Sequence, residues 1–283
     1  SGFACAVFFF EQGQIQEAER QLAYLSVYPP FEELFILQAQ IQIKKNRLFL
    51  AINALRQALE ISPLSLPAMK MLVALLQLVG DRDSSIQLIS LLLQPDLFSE
   101  EVFQSLSREQ QVEFRNWLPA LGSLQIVTAF ACSNYSNHDL IQMLDTWQKR
   151  FTPVRLSKHW RNKPDSKRKL TIAYMSNEWS SGPVNMIYDL LFAHHDREKY
   201  RTLALIDYPA VSLPPEGERY FDQVMFIQNW NATYLVQQMQ EQGVDILVDL
   251  SGHFNVRRLM DLTHSLAPLQ VNMRSNPPFT IGS

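Results

Sequence analysis

The residues best suited to chemistry follow a short apolar run near the end of the chain. Ile246-Leu247-Val248 is followed by the polar turn Ser251-Gly252-His253-Phe254-Asn255 and then by a helix-like segment. The apolar run is too brief for a helix and is typical of a buried parallel strand. In open α/β sheets, ligands collect where the carboxyl ends of strands meet such turns. His253 can titrate near neutrality there, so it could act as a general base or a hydrogen-bond donor.

Other interpretations of these side chains stay open. His253 could instead cap the following helix or pack on the sheet. Glu178 could act as a catalytic carboxylate at the same edge, or it could be a plain surface acid. Arg257 and Arg258 could hold a phosphate, or they could begin a solvent-facing helix. The sequence has no metal-ligand spacing, because Asp81-Arg82-Asp83 lacks the pattern of a calcium loop, so we expect no metal.

From Lys169 onward, strand-like and helix-like segments alternate. The strand-like segments are Leu170–Met175, Tyr200–Ile206, Val224–Ile227, Ile246–Leu250 and Leu269–Met273. The helix-like segments are Pro183–Ala193, Ala232–Gln242 and Val256–Leu266. This order predicts a parallel sheet in a Rossmann-like domain, because each crossover helix returns the chain to the same end of the sheet.

A parallel sheet brings the carboxyl ends of its strands to one edge. Turns that are far apart in sequence should therefore line one cleft. We expect catalysis there from His253 and Glu178. The residues expected to bind substrate at this edge are Ser176, Gly182, Asp207, Gly252, Asn255 and Arg274.

The first third of the chain is a repeat. The turn residues Gly13, Asn46 and Gly80 stand 33 and 34 residues apart. Each is followed five positions later by a small residue, and each unit ends in proline: Ala18, Ala51 and Ser85, then Pro30, Pro63 and Pro95. This is the tetratricopeptide pattern, in which small residues let paired helices approach and neighbouring units stack. The repeats could form a groove for a partner protein, or a spacer that carries or dimerises the next domain.

These patterns predict three regions: helical repeats over 1–98, a helical connector with a basic linker over 99–166, and the Rossmann-like lobe over 167–283. With 47% hydrophobic residues the chain can bury ordinary cores, and its net charge of −3 does not favour a nucleic-acid partner. The apolar start Phe3–Phe10 is too short to span a membrane. Cys5 and Cys132 form no disulfide framework, which favours a reducing, cytoplasmic location.

Several segments resemble one known family. The run DILVDLSGH, the pair Arg258-Leu259 and the run Ala267-Pro268-Leu269-Gln270-Val271 stand in the order found in the O-GlcNAc transferase and SPINDLY-like proteins, glycosyltransferase family 41. Arg168–Ser176 is similar to the opening strand of that family, and His194–Tyr200 is similar to a later segment. The resemblance implies one lobe of a two-lobed GT-B enzyme, which transfers a sugar from a nucleotide-sugar to serine or threonine hydroxyls without a required metal.

The resemblance therefore implies part of a protein O-GlcNAc-transferase-like enzyme, with repeats that recruit protein substrate. The chain could also form a homo-oligomer through these repeats. No tightly bound cofactor is expected, and a UDP-sugar donor is expected only with a second lobe. We expect the chain alone to be inactive, since that lobe would follow Ser283. Gly182 stands where the family has a histidine, and Ser275 and Pro278 replace two glycines. Alternatives are a non-catalytic scaffold or an unrelated α/β domain that binds a phosphate-containing ligand.

Overall fold

The computed structural model describes residues 2–25, 27–94, 100–152, 162–163, 165, 167–179, 190–208 and 220–273. The chain divides into two compact units, Ser1–Leu118 and Pro119–Ser283. The division falls inside the segment that the sequence assigns to the connector. The second unit therefore contains helical residues as well as the sheet.

The first unit is built from paired helices. Its pairs are α1 (Gly2–Glu11) with α2 (Ile15–Leu25), α3 (Glu32–Lys44) with α4 (Leu48–Ile61), and α5 (Leu66–Val79) with α6 (Arg82–Leu92). Two more helices follow: α7 (Glu100–Ser105) and α8 (Arg108–Phe130), the second of which crosses into the next unit at Pro119. Among the described helices, none combines the length and apolarity needed to span a membrane.

The turn residues of the repeat explain how each pair folds back. Gly13, Asn46 and Gly80 adopt positive φ values of 74°, 55° and 77°, respectively. Glycine reaches this left-handed region without strain, and asparagine tolerates it better than most residues. The small residues five positions later, Ala18, Ala51 and Ser85, are all 0% exposed. Their burial confirms the predicted register, in which a small side chain sits at each helix contact.

The second unit contains helix α9 and a five-stranded parallel sheet. Helix α9 spans Asn137–Phe151 and begins with a capping box between Ser136 and Asp139. The strands are β1 (Leu170–Ser176), β2 (Tyr200–Ile206), β3 (Gln223–Phe226), β4 (Ile246–Asp249) and β5 (Leu269–Asn272), in the spatial order β3-β2-β1-β4-β5. All four neighbouring pairs are parallel. The predicted fold class, helical repeats followed by a Rossmann-like lobe, is confirmed.

Both faces of the sheet are buried, as expected when helices cover a parallel sheet on each side. One face carries Ala173, Met175 and Leu247 together with residues of the following helices and with Ile126 and Trp147. Tyr174, Ala204 and Val248 lie in the second cluster, whose aromatic members include Trp179, Phe192 and Phe221. Because Ile126 and Trp147 come from α8 and α9, the helices before the sheet form part of its core.

Two crossover helices are described after β3. Helix α10 spans Ala232–Glu241, close to its expected bounds, and α11 spans Val256–Asp261. We expected the second to continue to Leu266, but a 3₁₀ turn over Leu262–His264 replaces its last part. Gln270 explains the change, because its side chain accepts from Leu266 N–H at 2.8 Å and donates to Leu262 C=O at 3.0 Å. These are the two groups that an α-helix would join directly. The helix expected over Pro183–Ala193 lies mostly outside the described residues.

Candidate functional site

The carboxyl ends of β1, β2 and β4 meet at one edge of the sheet, which we call the carboxyl edge. Asp207 follows β2, and its carboxylate accepts a hydrogen bond at 2.7 Å from Asn255, which follows β4. The hydroxyls of Ser176 and Ser251, at the ends of β1 and β4, lie 3.5 Å apart. Residues separated by about 50 to 75 positions in sequence are thus brought together, because parallel strands end on the same side.

The turn after β4 is organised by Asp249. Its carboxylate accepts hydrogen bonds from the N–H groups of Ser251 at 3.0 Å and Gly252 at 2.9 Å, and from the Asn272 amide at 2.8 Å. Gly252 has a φ of 53°, and a Cβ there would lie 3.2 Å from Asn272 Nδ2. A larger residue would be strained by the backbone conformation, and Asn272 would have to shift by a few tenths of an ångström to admit its Cβ.

The turn after β1 is bonded to the same region. Ser176 is fully buried, and its hydroxyl accepts from the Glu178 N–H at 3.0 Å. The Ser251 hydroxyl accepts from the Asn177 N–H at 3.2 Å and donates to Asn177 Oδ1 at 2.9 Å. Ser176, which is predicted to bind substrate, and Ser251 thus help to join the ends of β1 and β4 to each other.

Asp207 is the centre of a buried ionic cluster. Its side chain is 7% exposed and lies 2.9 Å from Arg258, which is 1% exposed. Arg258 also donates to Asp261 at 2.7 Å and to the carbonyls of Ile227 and Trp230. Burial raises the pKa of Asp261, although the hydrogen bond from Arg258 opposes the rise. Neither interpretation of Arg258 from the sequence fits: its side chain does not face solvent, and its guanidinium is engaged in joining the turns after β2 and β3 to α11.

His253 lies at the carboxyl edge but points into the protein. The residue is 4% exposed, and its Nδ1 lies 2.7 Å from the hydroxyl of Ser123 in α8. Its ring packs edge to face on Trp147 in α9, with the centroids 5.1 Å apart. Burial lowers its pKa to about 4, so the imidazole is neutral at physiological pH. A ligand from solvent cannot reach a side chain in this position without a rearrangement of the turn.

A different set of side chains faces outward at this edge. Phe254 is 44% exposed, and the side chain of Arg257 is 53% exposed while it donates to Asp207 at 3.0 Å. Asn177 and Glu178 are half-buried. These residues offer an aromatic surface, a guanidinium and a carboxylate, while the Asn177 amide is bonded to Ser251 and to the Phe254 carbonyl. Such groups can bind a polypeptide backbone or a phosphate, and the carboxylate could accept a proton.

Of the predicted site residues, the structure brings together Ser176, Asp207, Gly252, His253 and Asn255, with Glu178 beside them. Gly182 and Arg274 lie outside the described residues. In the part of the chain that the structure describes, no group of three or more His, Cys, Asp or Glu side chains could hold a metal ion.

Sequence reasoning missed the partners of His253. Ser123 is 130 residues away, and neither it nor Trp147 belongs to a motif that points to the turn. The one signal was Gly122, which interrupts a helix otherwise filled by larger residues. A Cβ at that position would lie 2.6 Å from the Trp147 ring, so the glycine marks a tight helix contact.

The sequence is similar to known proteins. The sequence is 29% identical over 160 residues, or 52% of this chain, to a protein of Arabidopsis thaliana. That protein is the probable UDP-N-acetylglucosamine–peptide N-acetylglucosaminyltransferase SPINDLY. The protein of the same name from Oryza sativa subsp. japonica is 28% identical over 149 residues, or 50% of this chain. The chain is similar to the SPINDLY proteins over about half of its length. No protein-family model matches the sequence.

A solved structure extends the likeness to the fold. A mutant O-GlcNAc transferase from Thermobaculum terrenum matches 96% of this chain with a TM-score of 0.64 and 22% sequence identity. At that identity the match shows that the architecture is shared. The chain spans 17% of the length of the Arabidopsis protein and 49% of the matched structure. Both of these proteins are therefore much longer than the segment that they share with this chain.

Proposed function

We propose that this chain is the acceptor-side part of a protein O-GlcNAc-transferase-like glycosyltransferase, with helical repeats that recruit protein substrate. The observation that carries the proposal is the agreement of two likenesses. The sequence relatives are named as peptide N-acetylglucosaminyltransferases, and the fold matches an O-GlcNAc transferase over 96% of this chain. The reaction would move a sugar from a UDP-sugar to a serine or threonine hydroxyl of a protein and release UDP.

In this proposal the exposed residues of the carboxyl edge hold the acceptor. Phe254 supplies an apolar surface, and Arg257 can donate to backbone carbonyls of an extended segment. Between the two catalytic candidates, Glu178 is the better placed to accept the hydroxyl proton. It is half-buried at the surface of the edge, whereas His253 is buried and neutral. His253 then has a structural part in the site, and Ser176, Asp207, Gly252 and Asn255 shape the edge rather than touch substrate.

Binding of the UDP-sugar belongs, in this proposal, to a second lobe of a longer polypeptide, since the matched segment is 17% of the Arabidopsis relative. No tightly bound cofactor is required. A cytoplasmic location agrees with two cysteines that form no disulfide.

The test measures transfer of radiolabelled sugar from UDP-GlcNAc to protein hydroxyls, with release of UDP followed in parallel. The full-length product of the gene should transfer label that is removed by β-elimination, as expected for serine and threonine linkages. The purified 283-residue chain should release no UDP above a heat-denatured sample of the same chain. UDP release by the chain alone would contradict the assignment of donor binding to another lobe.

A second candidate is a non-catalytic scaffold that binds proteins through its repeats. It is favoured by one observation: the polar groups of Ser176, Asp207, Ser251 and Asn255 all have hydrogen-bond partners within the protein at this edge. An edge closed in this way needs no substrate to satisfy it. Absence of transfer by the full-length protein, together with retained binding of a partner protein to the repeats, would support the scaffold over the enzyme.

A further inference from the structure

We infer that Ser123 and Trp147 are positioning residues for the carboxyl edge, because together they fix the turn Gly252–Asn255 through His253. Both residues belong to the helices that precede the sheet, in a segment that the sequence assigns to a connector. The inference rests on the proposed function in one respect: the turn matters to sugar transfer only if this edge receives the acceptor.

Ser123 supplies the polar half of the contact. It is 0% exposed in the second half of α8, and its hydroxyl lies 2.7 Å from His253 Nδ1. A buried hydrogen bond of this kind is hard to replace by water, and its loss leaves a ring nitrogen in apolar surroundings. The bond therefore favours one orientation of the imidazole.

Trp147 supplies the apolar half. Its ring stands at 79° to the imidazole, in edge-to-face contact. The indole is fixed in turn, because its Nε1 donates to the Pro119 carbonyl at 2.9 Å. Gly122 leaves the space that the indole fills, since a Cβ there would lie 2.6 Å from Trp147 Cδ1. Helices α8 and α9 thus form a socket for one side chain of the turn.

The socket reaches the exposed residues through the backbone. His253 is followed directly by Phe254, the exposed aromatic residue of the edge. Asn255 comes next, and it caps α11 at the Arg258 N–H and donates to Asp207 at 2.7 Å. A turn held at Gly252 by Asp249 and at His253 by the socket has little freedom left, so the direction of Phe254 is set by both.

Hydrogen exchange of the purified 283-residue chain, followed by mass spectrometry, tests the socket without any sugar donor. Ser123→Ala should raise exchange of the 250–256 segment about fivefold, the change expected from the loss of one buried hydrogen bond. Exchange in β1 and in the repeats should stay unchanged. Thr128→Ala is the matched control, because Thr128 is 4% exposed on the same helix and donates its hydroxyl to Leu124 C=O at 2.7 Å.

Trp147→Phe is the second variant, since it keeps an aromatic ring but removes the bond to Pro119. It should also raise exchange of the 250–256 segment. Unchanged exchange in both variants, or an equal increase with Thr128→Ala, would overturn the inference. In the full-length protein, Ser123→Ala should raise KM for the protein acceptor and leave KM for UDP-GlcNAc unchanged. If exchange responds as expected but no transfer occurs with the wild-type protein, the proposed function fails while the structural socket stands.

Discussion

Arg258 and Asp207 form an ion pair with almost no contact with water. Their side chains are 1% and 7% exposed, and Arg258 Nη2 lies 2.9 Å from Asp207 Oδ1. The pair joins the turn after β2 to the helix after β4. These two buried charges hold the edge together, since a buried guanidinium is stable only with such partners.

Removal of one partner should be strongly destabilising. Asp207→Ala leaves the Arg258 guanidinium buried with one less counter-charge, so we expect a loss of about 3–5 kcal/mol in the free energy of unfolding. Arg257→Ala is the matched control, because Arg257 pairs with the same carboxylate oxygen but its side chain is 53% exposed. That variant should lose no more than about 1 kcal/mol. Denaturant unfolding measures both, and equal losses would contradict the role given to burial.

The repeat register can be tested at Ala51. This residue is 0% exposed between paired helices, so Ala51→Leu should overpack the contact and lower stability by about 1–3 kcal/mol. The same exchange at Ala4, which is exposed on α1, is the control and should change little. An unchanged melting temperature for Ala51→Leu would count against the assigned helix contacts.

His253 should make stability depend on pH. Its pKa is about 4 in the folded protein, against about 6.5 in an unfolded chain. The unfolded state therefore binds a proton first, so the contribution of neutral His253 is complete above pH 6.5 and is lost as the pH falls toward 4. Over this range the free energy of unfolding should fall by about 3 kcal/mol.

Burial also lowers the pKa of His195, so the two histidines must be separated. The difference in the free energy of unfolding between wild type and His253→Gln isolates the contribution of His253. The stability difference between the two proteins should shrink between pH 6.5 and 4. A difference that is constant over this range would contradict the burial of a neutral imidazole. Nuclear magnetic resonance titration of the ring gives the folded pKa directly.

Much of the fold could be predicted because its signals are local. The left-handed turn residues Gly13, Asn46 and Gly80 mark the repeat, and the five short apolar runs mark the strands. Parallel topology then places Ser176, Asp207 and Asn255 at one edge. These inferences need only the spacing of small, apolar and turn residues.

The orientation of the edge residues could not be predicted in the same way. Whether His253 faces substrate or protein depends on Ser123 and Trp147, which lie more than 100 residues away and carry no motif. The early end of α11 depends likewise on Gln270, which is in the next strand. Tertiary partners decide these features, and a sequence pattern records the residue type without its partner.

The central claim is that the carboxyl edge receives the protein acceptor, and a site-specific photo-cross-link tests it most directly. A benzophenone amino acid replaces Phe254, which is 44% exposed at this edge, or Leu269, which is 52% exposed at the amino end of β5. Each full-length variant is irradiated with a protein that it glycosylates. We predict that the acceptor cross-links from position 254 and not from position 269. Cross-linking from 269 alone, or equally from both positions, would contradict the account.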